Sequence, residues 1–100
     1  MYRLLFHPGV EKQLARIPRI YSERLARTIR NLGTNPRPEQ TKHLDKEMYR
    51  LREGEYRIVY AAFDEEQIIY VGKVERRSEK TYRDIARLLE RAQRVVEEHK

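Results

Sequence analysis

The spacing of apolar residues changes along the chain, and each change marks an element. Tyr2 to Phe6 (YRLLF) is a short aromatic and apolar run ended by Pro8-Gly9, the pattern of a first strand. From Val10 the period lengthens. Val10, Leu14 and Ile17 fall at i, i+4 and i+7, one stripe of a helix that stops before Pro18. Tyr21, Leu25, Ile29 and Leu32 repeat this spacing, and Gly33 stands where a helix C-terminal cap belongs. Two helices joined so closely are expected to form an antiparallel hairpin that lies on a sheet. Thr34 to Asp45 (TNPRPEQTKHLD) has two prolines and no period, so it reads as a loop.

After this loop the period falls to two. Met48–Arg52, Tyr56–Phe63 and Gln67–Val74 read as three strands of a meander, with turns at Glu53-Gly54 and Asp64-Glu65-Glu66. Alternation sends Tyr49 and Leu51 toward the helices and Arg50 and Arg52 away from them. With Tyr56, Ile58 and Tyr60 also inward, Arg57 joins the other two arginines; a shift of one residue in register would reverse the assignment. From Thr81 onward, Ile85, Leu88, Leu89, Ala92 and Val95/Val96 form a third amphipathic stripe, with a frayed tail after Val96. The expected fold is one α+β domain over residues 1–100. It is a small, mainly antiparallel sheet with an N-terminal helical hairpin on one face and a C-terminal helix, in the order β-α-α-β-β-β-α. Leu14, Leu25, Ile29, Leu51, Ile58 and Ile68 are the expected core positions.

Composition narrows the partners. The 22 Lys and Arg residues outnumber the 16 Asp and Glu, giving a net charge of +6. Residues 1–50 carry 11 basic and 5 acidic side chains, and residues 51–100 carry 11 of each, so the excess sits in the first half. Such an excess favours polyanions, whether nucleic acid, acidic protein or an anionic membrane surface. The absence of cysteine excludes a disulfide framework, a thiol nucleophile and a cysteine-based zinc site. No run approaches a membrane span, and MYRLLFHPG lacks the apolar core of a signal peptide, so a cytoplasmic protein is expected.

Acid–base equipment is scarce. His7, His43 and His99 share no metal-ligand spacing, and capping or solvent-facing roles suit them. Neither a nucleophile elbow, a P-loop nor a dinucleotide fingerprint occurs. Arg16, Arg19, Arg24, Arg27 and Arg30 read as the solvated outer face of the helical hairpin. Glu75 and Glu79 read as local charge partners of Arg76 and Arg77. The strand tyrosines Tyr49, Tyr56, Tyr60 and Tyr70 read as core or half-buried sheet residues. What remains is arginine, which grips phosphate in a bidentate fork and stays charged at any working pH. RNA can be cut without a metal when its 2′-hydroxyl attacks the neighbouring phosphate and fixed positive charges stabilise the transition state. Proton transfer still needs a donor and an acceptor, for which Tyr82, beside Arg76 and Arg77, is a candidate. The residues by themselves point to a small α+β domain with a phosphate-binding face.

Several stretches together resemble a known family. These are YRLREGEYRIVY at Tyr49–Tyr60, the Asp64-Glu65-Glu66 turn, and VGKVERRSEKTYRD at Val71–Asp84. They resemble the RelE/ParE superfamily of type II toxin–antitoxin systems, and within it the RelE-like ribosome-dependent mRNA endoribonucleases. FHPGVEKQLARIP at Phe6–Pro18 is similar to the first strand and helix of that family, and KHLDKEMYRL at Lys42–Leu51 to the approach to its second strand. The resemblance implies a metal-independent, cofactor-free catalytic set of Arg50 and Arg52, Arg57, Arg76 (with Arg77 a close competitor) and Tyr82. Arg50, Arg52, Arg77 and Lys73 are the implied RNA contacts. Studied members carry lysines where Arg50 and Arg52 stand, and a lysine there is credited with proton donation. Arginine keeps the charge but is a poorer donor. The implied partners are an acidic antitoxin that wraps the basic surface, the ribosome and mRNA, with operator DNA reached only through the antitoxin and no membrane. Two alternatives share the scaffold: a ParE-like toxin directed at DNA gyrase, and a catalytically inactive basic module that binds RNA or acidic protein.

Overall fold

All eight residues of β4 (Tyr56–Phe63) are buried, because this strand has a layer packed on each face. The computed structural model describes residues 1–77 and 84–100. Around β4 the chain runs β1 (Arg3–Phe6), α1 (Gly9–Ala15), α2 (Arg19–Asn31), β2 (Thr41–Asp45), β3 (Met48–Glu53), then β5 (Ile68–Arg76) and α3 (Ile85–Glu98). The five strands form one sheet in the order β1-β5-β4-β3-β2. β1 lies parallel to β5, and the other three pairings are antiparallel.

The period-two pattern divides the core into two layers. On one face, Leu51, Ile58, Tyr60, Ile69 and Val71 pack against Val10, Leu25, Ile29 and Leu32 of the helical hairpin. On the other, Met48, Val59, Ala61, Phe63, Ile68 and Tyr70 pack against Ile85, Leu88, Leu89, Ala92 and Val96 of α3. Of the expected core positions, Leu25, Ile29, Leu51, Ile58 and Ile68 are buried, and Leu14 is half-buried at the edge of the first layer. Ile68 belongs to the layer under α3.

Three local features differ from the sequence pattern, each for a physical reason. Thr41–Asp45, read as loop, forms the edge strand β2 and pairs with β3 through a bulge between His43 and Asp45. An edge strand with mostly exposed side chains shows no apolar period. It is held by backbone pairing, by a ring contact between His43 and Tyr49 (5.1 Å) and by the Thr41–Tyr60 hydroxyl contact (3.4 Å). Gly33 does not take a left-handed cap conformation; the positive-φ glycine among the described residues is Gly54. Gly33 is needed instead for close approach. Its carbonyl accepts the Tyr2 amide at 2.7 Å, and a Cβ there would sit 3.3 Å from the Tyr2 carbonyl. At the chain end, α3 continues to Glu98 instead of fraying after Val96, and Thr81, where its pattern begins, lies outside the described residues. Gly54, at φ +59°, opens the two-residue turn that joins Glu53 to its partner Tyr56, where tight hairpins favour glycine.

A fourth feature governs the site. Val59 pairs with Lys73, and Tyr60 pairs with Val71, so Gly72 is the extra residue of a β-bulge in β5. A Cβ built on Gly72 would lie 3.4 Å from both methyl carbons of Leu88, so α3 packs directly on the bulge. Gly72→Ala is therefore expected to fold like the parent. Gly72→Val should lose about 1–3 kcal/mol through overpacking against Leu88, read as a lower midpoint in denaturant unfolding.

Candidate functional site

β3 and β4 place the strand arginines. Arg52 stands opposite Arg57 and Arg50 opposite Val59, and alternate residues share a face. Met48 and Val59 belong to the α3 layer, so Arg50, Arg52 and Arg57 all lie on the α3 side of the sheet. Arg50 is 8% exposed and Arg57 only 6%, whereas Arg52 is open to solvent. The Gly72 bulge then shifts the alternation of β5 by one residue. Lys73 and Glu75 turn to the α3 side, opposite Val59 and Arg57, while Val74 enters the core under the helical hairpin.

The result is a buried chain of alternating charge. Glu75 Oε2 lies 2.9 Å from Arg57 Nη2, and its Oε1 lies 3.0 Å from Lys73 Nζ. Lys73 Nζ also donates to Asp84 Oδ1 at 2.9 Å, just before α3 begins. The side chains of Arg57, Lys73 and Glu75 are each less than a tenth exposed, and that of Asp84 is 41% exposed. The network thus runs from the middle of the sheet to the surface. Two cations meet two carboxylates, which is how such groups offset the several kcal/mol that desolvation costs each ion. Beside them, the buried Nε of Arg50 has no hydrogen-bond partner among the described residues.

Of the other residues singled out in the sequence, Arg76 and Arg77 lie outside the charge chain. Arg76 is carried by the bulge to the opposite face, where its guanidinium lies 5.7 Å from the centre of the Tyr56 ring, on the side of the helical hairpin. The backbone amide of Arg77 donates to the Glu55 carbonyl at 2.7 Å, and its Nη1 reaches the Gly54 carbonyl at 3.5 Å, tying the end of β5 to the β3–β4 turn. Tyr82 lies outside the described residues. Lys73 sits inside the charge chain. Sequence reasoning did not find the roles of Glu75 and Asp84. The signal for them was a lone glycine in a strand pattern, which marks a bulge and hence a change of face.

A cleft of about 510 Å³ opens beside this network, lined by Gln13, Arg16, Tyr56, Lys73, Glu75, Arg76 and Asp84 among others. It exists because β1 stops pairing at Phe6–Val71, which leaves the later part of β5 without a strand neighbour on that side. The Gln13 side chain takes over one ladder position by accepting the Val74 amide at 2.8 Å. Away from the cleft, Asp64 accepts the Tyr2 hydroxyl at 2.7 Å and Arg37 Nη2 at 2.6 Å, and Arg37 Nε reaches the Tyr49 hydroxyl at 3.1 Å. Tyr2 and Arg37 hold the Asp64 carboxyl below its ordinary range. These groups are exposed or half-buried and act as a clasp between loop and strands. The histidines serve locally: His7 Nδ1 accepts the Gly9 amide at 2.9 Å, His43 Nε2 lies 2.6 Å from the Lys46 carbonyl, and His99 Nδ1 lies 2.8 Å from that of Val95. Among the described residues, no group of three His, Cys, Asp or Glu is placed to hold a metal ion, and no helix is long and apolar enough to cross a membrane.

A sequence model of the ParE toxin of type II toxin–antitoxin systems (parDE) matches residues 4–81. The chain belongs to this toxin family, within the RelE/ParE superfamily. No curated protein sequence matches it. Among solved structures, the toxin is similar to the chain in the archaeal RelE–RelB complex from Pyrococcus horikoshii. There the identity is 24% and the TM-score 0.69, over 79% of this chain and 98% of the other. It is similar to isolated RelE from E. coli at 22% identity and a TM-score of 0.67, over 92% and 99% of the two chains. The intact E. coli RelBE toxin–antitoxin complex matches at 26% identity and a TM-score of 0.65, over 79% and 100%. These likenesses establish the shared α+β fold.

The charge chain gives the toxin a clear energetic signature. Removing one partner of a buried pair leaves an uncompensated charge, which commonly costs about 3–5 kcal/mol. Glu75→Ala should lose stability on that scale, and Glu23→Ala, in the exposed pair with Arg19, less than about 1 kcal/mol. Urea unfolding of the two variants against the parent measures the contrast.

Proposed function

We propose that this toxin is a RelE-like, ribosome-dependent mRNA endoribonuclease whose chemistry is 2′-hydroxyl attack on the adjacent phosphate. The observation that carries the reading is the gathering of Arg50, Arg52 and Arg57 on one sheet face, with Lys73 joined to Arg57 through Glu75. A pentacovalent phosphorane holds more negative charge than the diester it forms from, so guanidinium groups fixed in a partly water-excluded site favour it over the ground state. Arg57 is the central phosphate grip. Arg50 supplies a buried donor that an incoming phosphate oxygen would satisfy, offsetting a desolvation cost of about 1–3 kcal/mol. Arg52, exposed at the mouth, meets the RNA first. Tyr82 keeps a proton-transfer or positioning role on its sequence alone. Arg76 and Arg77, at the end of β5, contact RNA beside the cut.

The partner is an acidic antitoxin. Solved relatives include RelE–RelB and RelBE complexes, and a net charge of +6 suits an acidic chain that speeds its own association by charge complementarity. A disordered antitoxin segment that folds as it binds would wrap a large area of this surface. In this reading the toxin works in the cytoplasm, where translating ribosomes are, and reaches operator DNA only through the antitoxin. A second reading, a ParE-like toxin directed at DNA gyrase, shares this scaffold and fits membership of the ParE toxin family.

Losing one preorganised charge of this kind costs about 2.7–4 kcal/mol, or about 10²–10³ in rate. Arg57→Ala should therefore lose that much in single-turnover cleavage of mRNA on programmed ribosomes, while Arg24→Ala, exposed on the helical hairpin, matches the parent. A parent that leaves mRNA intact but blocks gyrase would move the assignment to the second reading. Purification of the toxin expressed from its own operon should recover a small acidic protein in stoichiometric amount; recovery of the toxin alone would count against the partner.

A further inference from the structure

We infer that Lys73 is the proton donor to the leaving 5′-oxygen, positioned by Glu75 and released to substrate at its Asp84 contact. The inference rests on the endoribonuclease reading above. Breaking the P–O5′ bond leaves an alkoxide that needs a proton, and Arg50, Arg52 and Arg57 hold their protons at any working pH. The α3 side therefore has strong anion stabilisers at three positions and needs a group that can release a proton. Among the lysines on the sheet strands, Lys42 and Lys73 face this side. Lys42, on the edge strand opposite Arg50, is exposed, and β3 separates its strand from that of Arg57. Lys73 shares the Glu75 carboxylate with Arg57, at 3.0 and 2.9 Å. A phosphate gripped by Arg57 thus lies near the Lys73 ammonium, with the geometry set by one buried carboxylate.

The Glu75 and Asp84 contacts of Lys73 differ in a way that suits this role. The Glu75 side chain is 8% exposed and stays in the sheet, while that of Asp84 is 41% exposed at the surface. Lys73, Glu75 and Asp84 all line the open cleft at the free edge of β5, so RNA can reach the ammonium from that side. An RNA oxygen entering there exchanges with the Asp84 carboxylate, the wetter and cheaper of the two to displace. In the step itself, the 2′-oxygen bonds to phosphorus as its proton passes to solvent. The P–O5′ bond breaks, and O5′ takes a proton from Lys73 Nζ. The products are a 2′,3′-cyclic phosphate and a 5′-hydroxyl, and the neutral amine regains a proton from water.

The test replaces the leaving oxygen. In an mRNA with a single 5′-bridging phosphorothiolate at the cleaved linkage, the departing thiolate needs no proton, so loss of a general acid has no effect. Lys73→Arg keeps the charge but cannot give up a proton. In single-turnover assays on programmed ribosomes it should be about 10²–10⁴-fold slower than the parent on the oxygen substrate and within a few-fold of it on the sulfur substrate. Lys73→Gln, uncharged and of similar length, should show the same rescue by sulfur, which keeps the test decisive if the arginine variant misfolds. Equal loss on both substrates would make Lys73 a grip or a strut and overturn the inference. Parent-like rates for Lys73→Arg on the oxygen substrate, or the rescue pattern in Lys42→Arg instead, would also overturn it. If the parent cuts neither substrate, the endoribonuclease reading falls first and this inference with it.

Discussion

The side chains of Arg57, Lys73 and Glu75 are each less than a tenth exposed, and none of these charges would be stable there alone. One carboxylate shared by two cations is what allows a sheet covered on both faces to keep formal charge next to Val59 and Met48. On the endoribonuclease reading, a guanidinium and an ammonium held by one carboxylate have the sign of charge that grips a phosphodiester. The layers on either side matter as much as the charges, since partial exclusion of water strengthens every electrostatic contact inside. The helical hairpin and α3 thus shield the charge chain from water without contributing a side chain to it.

Much of this was legible in the sequence. The helix stripes at Val10–Ile17 and Tyr21–Leu32 and the alternation through Tyr49–Tyr60 follow directly from burial of one face, and they fix the layers and the common side of Arg50, Arg52 and Arg57. β2 was not legible, because an edge strand needs only backbone pairing and a few side-chain contacts, and Thr41–Asp45 buries little. Gly33 was legible as a constrained position but not for its actual constraint, since close approach of Tyr2 is a tertiary fact. Glu75 looked like a partner for its sequence neighbours Arg76 and Arg77. The sheet gave it Arg57 instead, 18 positions away along the chain and directly opposite across the strands.

The bulge at Gly72 has a consequence for how toxins of this fold diverge. In a regular strand Arg76 would turn toward α3, and Lys73 and Glu75 toward the helical hairpin; one extra residue exchanges the two sets. Loss of the Gly72 codon would leave Val59 opposite Lys73 and Arg57 opposite Glu75, whereas the same residues in a regular ladder would bring Arg76 to the α3 face. The same letters can thus present either set of side chains to the α3 face, depending on whether a bulge absorbs the extra residue. Aligning such chains by residue type alone pairs side chains from opposite faces of the sheet. The meaningful correspondence is by face, counted outward from the strand pairing.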